Sequence, residues 1–204
     1  MNTKIINKLK EETNNSSYIV YREKYINNIK IDIIYNEVLT DQDKMSNFIY
    51  RSLDHIEKIY QEKDIFFLGR GIDETVAREG SLKLKEISYI HSESYAAGEL
   101  KHGPIALIEN DITVVGIMTD KNLVKKTVSN IQEVITRGAK TLVVSNQDID
   151  KNMFDVVIDI PETNCFVSPI LSIIPLQLLA YYISKEKGLD VDKPRNLAKS
   201  VTVE

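Results

Sequence analysis

The 204-residue sequence predicts an α/β fold in which a mainly parallel sheet is covered by helices on both faces. Three observations predict it. Short continuous apolar runs stand at residues 65–68, 112–118, 141–145 and 156–160, the composition of strands buried on both sides. Stretches with helical apolar spacing alternate with these runs, so strand-to-strand connections carry helices and take the right-handed crossover. Turn and cap residues mark the joints, among them Gly69-Arg70-Gly71, Gly138 and Gly188. In such a sheet, ligands are expected beyond the carboxyl ends of the strands.

Three segments follow: an approach segment over residues 1–40, a main domain over 41–188 and a tail over 189–204. The first is polar, with a loop at Asn14-Asn15-Ser16-Ser17 and a helix expected over residues 25–39. Asp41 stands where an N-cap is wanted, ahead of Met45, Phe48, Ile49, Leu53, Ile56 and Ile59, so an amphipathic helix is expected to lie on the sheet and end near Glu62. The run Ile65-Phe66-Phe67-Leu68 is the first core strand, turning at Gly69-Arg70-Gly71 into a helix with Asp73 as its expected cap. Val76, Leu82, Leu84, Ile87 and Ile90 are expected to form the buried side of that helix, with a glycine-punctuated loop after it. A further helix is expected over residues 121–138, stopped by Gly138, and a last one over residues 169–187, kinked or restarted near Pro175. The tail has no apolar periodicity and reads as loose chain.

Composition removes several function classes. At 43% hydrophobic residues the chain can bury a full core. A net charge of -4 offers no broad basic surface for nucleic acid. One cysteine, Cys165, excludes an internal disulfide framework and a cysteine-rich zinc site, and fits a reducing cytoplasm. The N-terminal residues carry no apolar signal core, and the longest apolar stretch, residues 168–183, is interrupted by Pro169 and Pro175, so no membrane partner is expected.

Chemistry concentrates in residues 79–104, EGSLKLKEISYIHSESYAAGELKHGP. Glu79, Lys83 and Glu86 recur at i, i+4 and i+7, which places an acid, a base and a second acid on one helix face. His102, one of three histidines, follows between Lys101 and Gly103-Pro104. Taken alone, Glu79 with Lys83 is also an ordinary solvated ion pair and His102 an ordinary loop histidine. His55 and His91 have no ligand spacing with His102, so no metal is expected, and no cofactor is implied. Asp73 and Glu74 would repel a phosphate at the helix start that follows Gly69-Arg70-Gly71.

The words FLGRG at residues 67–71, the whole 79–104 stretch, PLQLLAYY at 175–182 and DVDKPRNLAKSVTVE at 190–204 closely resemble the glutamine:fructose-6-phosphate amidotransferase (glucosamine-6-phosphate synthase) family. The resemblance covers roughly residues 41–204. It implies a sugar-isomerase (SIS) three-layer α/β/α sandwich with an irregular C-terminal tail. It further implies the second of two SIS subdomains, which in that family follow a glutaminase domain with a catalytic N-terminal cysteine. No cysteine lies near Met1, and the Ser/Thr-Gly-rich phosphate cradle of the first subdomain is missing, so dependence on both of those parts is expected.

Turning a ketose phosphate into an aldose amine needs ring opening, an imine at C2 and proton movement between C1 and C2. A partly neutral lysine can form the imine, a carboxylate can carry the proton, and a histidine suits exchange with the ring oxygen. By resemblance, Lys199 matches the imine-forming lysine, with Ala198 beside it in the substrate pocket. Glu86 matches the C1–C2 proton shuttle, and Glu79 and Lys83 match residues lining the same pocket. His102 matches the ring-opening histidine, which in the family comes from the neighbouring subunit. The implied substrate and product are fructose 6-phosphate and glucosamine 6-phosphate, and the implied assembly is a homodimer held by the face bearing residues 99–104. Two other readings stay open. One is a non-catalytic sugar-phosphate-binding or assembly module, motivated by the first forty residues and the missing cradle; the other is a fructosamine-phosphate deglycase, against which the tail counts.

Overall fold

The computed structural model describes residues 19–26, 29–36, 59 and 62–195. The chain divides into two compact units, residues 1–49 and 50–204. In the first, β1 (Ile19–Ile26) and β2 (Ile29–Asn36) form an antiparallel pair with Ile26 opposite Ile29. This corrects the helix expected over residues 25–39. Isoleucine, valine and tyrosine dominate both segments, and such residues fit a pleated strand better than a helix.

The second unit is built on five parallel strands: β3 (Asp64–Gly69), β4 (His91–Ala96), β5 (Thr113–Met118), β6 (Lys140–Ser145) and β7 (Val156–Asp159). Their order is β4-β3-β5-β6-β7. Every residue of β5 is buried, as a strand covered on both faces requires. Between the strands run α1 (Ile72–Ser88) and α2 (Val124–Ile135), and α3 (Ser168–Glu186) follows β7. Ile131 and Val134 of α2 pack with Phe66, Leu68, Val114, Met118 and Val143 in one core cluster. Helices α1 and α3 pack against each other on the opposite layer. The three-layer α/β/α arrangement is the expected one. The helix expected over residues 41–62 lies outside the described residues apart from Ile59, which is buried, and Glu62.

Close approach of α1 and α3 depends on Gly80. A Cβ there would stand 2.5 Å from Leu176 Cδ1 and 3.2 Å from Phe67 Cε1, so the bare backbone lets Leu176 seat directly on α1. The buried face of α1 is Asp73, Val76, Ala77, Gly80, Ser81, Leu84 and Ser88, recurring at three- and four-residue spacing. Leu82, expected in that face, is exposed instead, because its position falls on the opposite side of the helix.

Three local expectations change. Asp73 is not the cap of α1: the N-cap is Gly71, and the Asp73 carboxylate reaches Thr119 at the end of β5. The segment read as helix end and loop holds an edge strand, β4, whose first residue is His91. Among the described residues it pairs only with β3, and it is half polar, so it lacks the apolar run that marks the central strands. Helix α3 continues through Pro175 rather than restarting there, and it ends in a Schellman motif: Leu189 N–H bonds to Ser184 O and Gly188 N–H to Lys185 O, each at 2.9 Å. Gly188 holds φ +68°, the left-handed conformation that this stop requires.

Candidate active site

Helix α1 leaves the carboxyl end of β3 and returns to the amino end of β4, so it runs antiparallel to the strands. Its buried face points at the sheet and α3, which leaves Glu79, Lys83 and Glu86 on the outward flank. The structure brings these three together. Lys83 Nζ lies 2.6 Å from Glu86 Oε2 and 3.5 Å from Glu79 Oε1, with all three side chains partly exposed. The hydrogen bond to the Glu86 carboxylate, acting against partial burial, raises the Lys83 pKa above the usual lysine value. Lys83 therefore stays a cation at neutral pH, suited to orienting Glu86 and unsuited to imine formation, which needs a neutral amine.

The cluster does not occupy the crevice beyond the strand ends. Because α1 descends from that end, Lys83 and Glu86 sit in its second half, towards the amino ends of the strands. The crevice itself lies between the carboxyl ends of β3 and β5, where the strand order reverses. There the Asp73 carboxylate accepts from Thr119 N–H at 2.8 Å, from the Thr119 hydroxyl, and from Asp120 N–H at 3.3 Å. An internal anion thus takes the donors that a phosphate would use. Burial pushes the Asp73 pKa up, and the hydrogen bonds from Thr119 and Asp120 pull it partly back.

His102 stands apart from the three α1 residues. It closes a 3-10 turn, Leu100–His102, that is fixed by the buried Leu100 and by His102 N–H bonding to Glu99 O at 3.0 Å. Its imidazole is exposed and makes no hydrogen bond or ion pair among the described residues. Lys199 and Ala198 lie outside the described residues. The nearest described part of the tail is Arg195. Its N–H donates to the Tyr89 hydroxyl at 2.7 Å, and its guanidinium carbon lies 4.5 Å from the centre of the Tyr89 ring. Tyr89 is the C-cap of α1, three residues beyond Glu86, with φ 59°. Reading the sequence missed both residues, since a contact across 106 positions leaves no local signal.

A cavity at the amino ends of β5, β6 and β7 is lined by Ile59, Glu62, Thr113, Leu142 and Val156 among others. It holds none of the candidate residues, which leaves the α1 cluster as the candidate site. His91 lies at the same end of the sheet with its Nδ1 2.6 Å from Asp64 Oδ1, an exposed hydrogen bond joining β3 and β4.

Comparison with known proteins bears on the whole second unit. A glutamine–fructose-6-phosphate aminotransferase (isomerizing) of Clostridium perfringens is 56% identical over 172 residues, covering 82% of this chain and 27% of that protein. The corresponding protein of Clostridium tetani is 53% identical over 195 residues, covering 92% of this chain and 32% of its own length. The chain thus spans about a third or less of the curated relatives it matches. A match to 92% of the chain is longer than residues 41–204, so it takes in part of the first forty residues as well. Among solved structures, the C-terminal domain of glucosamine-fructose-6-phosphate aminotransferase from Francisella tularensis superposes with a TM-score of 0.62 at 36% identity, over 74% of this chain and 45% of that one. With the SIS domain family matching residues 58–184, the span that holds the five-stranded sheet, α1, α2, most of α3, Glu86 and His102, the chain belongs to the SIS domain family.

Proposed function

We propose that the chain is the second sugar-isomerase unit and catalytic tail of a glucosamine-6-phosphate synthase, working in the cytoplasm on fructose 6-phosphate. The observation that carries this reading is the Lys83–Glu86 pair at 2.6 Å on a flank of α1 that faces away from the sheet, one turn from the tail's contact at Tyr89. A carboxylate there, oriented by a cation and open to solvent, can receive a substrate held between this unit and other parts of the protein.

In this reading the Lys199 amine adds to C2 of the open-chain ketose and water leaves, giving an imine. Ammonia then displaces the lysine, leaving the nitrogen on C2. Glu86 removes a proton from C1 and returns one to C2, while the C1 hydroxyl loses its proton and the C2 imine nitrogen gains one, so C1 becomes the aldehyde and C2 the amine carbon. His102 exchanges the proton of the ring oxygen on substrate bound by a neighbouring subunit, which requires at least a homodimer; its exposed and unpaired imidazole supports this role. Glu79 and Ala198 line the pocket. The phosphate grip comes from a first sugar-isomerase unit and ammonia from a glutaminase domain, consistent with the internal anion at Asp73.

The test is borohydride trapping with fructose 6-phosphate in an enzyme that joins this chain to a first sugar-isomerase unit. The adduct is expected on Lys199. An adduct elsewhere, or none with the folded assembly, would reject the reading and favour a non-catalytic module.

A further inference from the structure

We infer that Tyr89 is a positioning residue that fixes the root of the C-terminal tail and so sets the distance at which Lys199 works from Glu86; this rests on the reading proposed above. Two different parts of Arg195 meet Tyr89: the backbone N–H donates to its hydroxyl at 2.7 Å, and the guanidinium lies over its ring at 4.5 Å. The first contact holds the main chain and the second the side chain, so both the position and the direction of the tail are constrained at this point. Arg195 is otherwise exposed, and the two segments are 106 residues apart in sequence.

The backbone of Tyr89 supports the same conclusion. It adopts φ 59° and ψ 19° as the C-cap of α1, a left-handed conformation that glycine or asparagine takes readily and an aromatic residue rarely. A helix stop alone would be served better by asparagine. Tyrosine at this position supplies what asparagine cannot: a ring face and a hydroxyl aimed at the tail. Geometry then links the two candidate groups. Glu86 is three residues before Tyr89 on the same helix end, and Lys199 is four residues after Arg195 in sequence, a length of chain that spans at most about 14 Å. A tail held only at Gly188 would have eleven residues of slack before Lys199; the contact at Tyr89 leaves four.

Limited trypsin digestion of the full chain, followed by mass, reads the anchor directly. The Lys193-Pro194 bond resists trypsin, so the bond after Arg195 reports the root of the tail. Tyr89→Asn keeps the helix stop and removes both contacts; cleavage after Arg195 is expected to rise about tenfold, with Tyr89→Phe in between. In the enzyme completed with a first sugar-isomerase unit, the same variants are expected to lower kcat about tenfold while KM for fructose 6-phosphate changes less than twofold. Arg195→Lys, which keeps the backbone donor, should retain most of the rate. Unchanged cleavage in Tyr89→Asn overturns the anchor. Faster cleavage with unchanged kcat and Lys199 trapping overturns its role in positioning while leaving the proposed function standing. If the wild-type assembly traps no imine at Lys199, the proposed function fails together with this role, whatever the digestion shows.

Discussion

Asp73 on α1 and Thr119 at the end of β5 are joined through both the backbone N–H and the hydroxyl of the threonine, and Asp120 N–H completes the set. The carboxylate closes the point in the sheet where a ligand anion would otherwise bind, and it ties the first helix to the central strand. Replacing Asp73 by alanine strands these donors in a buried place and is expected to cost about 1–3 kcal/mol of stability, measured by urea unfolding.

The same carboxylate makes a pH prediction. Burial raises the Asp73 pKa above its ordinary value of 3.8, so the folded chain binds this proton more tightly than the unfolded chain. Its contribution to stability is fullest below 3.8 and declines as pH rises through the higher folded value. Asp73→Asn removes that decline, and the variant should gain on the wild type between pH 3 and pH 7. Parallel unfolding profiles for the two proteins would contradict this.

Gly80 and Leu176 set the spacing between α1 and α3. Gly80→Val is expected to destabilise by about 1–3 kcal/mol through overpacking. Gly80→Ala should cost less, since a gain of about 1 kcal/mol in helix propensity partly offsets the crowding against Leu176 and Phe67. Thermal unfolding of both variants separates the two cases.

Legibility in the sequence followed the range of the interactions involved. Central strands β3, β5 and β6 announce themselves because burial on both faces writes a continuous apolar run, and the edge strand β7 is short but still mostly apolar. The edge strand β4 does not, since His91, Glu93 and Tyr95 alternate with small residues and resemble a polar loop. The β1–β2 pair reads equally as a helix by apolar content, and Asn27-Asn28 between its strands is the turn signal in the sequence. Asp73 obeys a local capping rule on paper, yet a partner 46 residues away takes its carboxylate. Within the site, the helical spacing of Glu79, Lys83 and Glu86 was sufficient to predict their contact, whereas the tail's attachment to Tyr89 was not encoded locally at all.

Helix α3 is apolar on both sides. Leu176, Leu179, Ala180 and Ile183 are buried, while Ile170, Ile174, Leu178 and Tyr181 form a second stripe at 62%, 40%, 36% and 36% exposure. A helix of this kind is normally covered. Because the chain corresponds to only 45% of the Francisella C-terminal domain, the expected cover is a first sugar-isomerase unit. Ile174→Glu with Leu178→Glu should leave the fold within about 0.5 kcal/mol of wild type and abolish capture of that unit in co-expression. Retained capture would place the contact elsewhere.

The Lys83–Glu86 pair separates structure from chemistry. As a partly exposed i, i+3 ion pair it contributes a few tenths of a kcal/mol to stability at most, so Glu86→Gln and Lys83→Met should unfold almost like the wild type. In the completed enzyme their effects should diverge. Glu86→Gln removes the group proposed to carry the proton between C1 and C2, and a loss of about 10²-fold to 10⁴-fold in turnover is expected with Lys199 trapping preserved. Lys83→Met leaves the carboxylate in place without the cation that orients it, so turnover should fall less. The hydrogen bond to Glu86 raises the Lys83 pKa, so the pair's small stabilising effect is fully present below 10.5 and is lost as pH rises through the higher folded value. Deuterium exchange at C1 of the sugar in the two variants checks the assignment: loss in Glu86→Gln with retention in Lys83→Met supports it, and equal exchange in both would remove Glu86 from proton transfer.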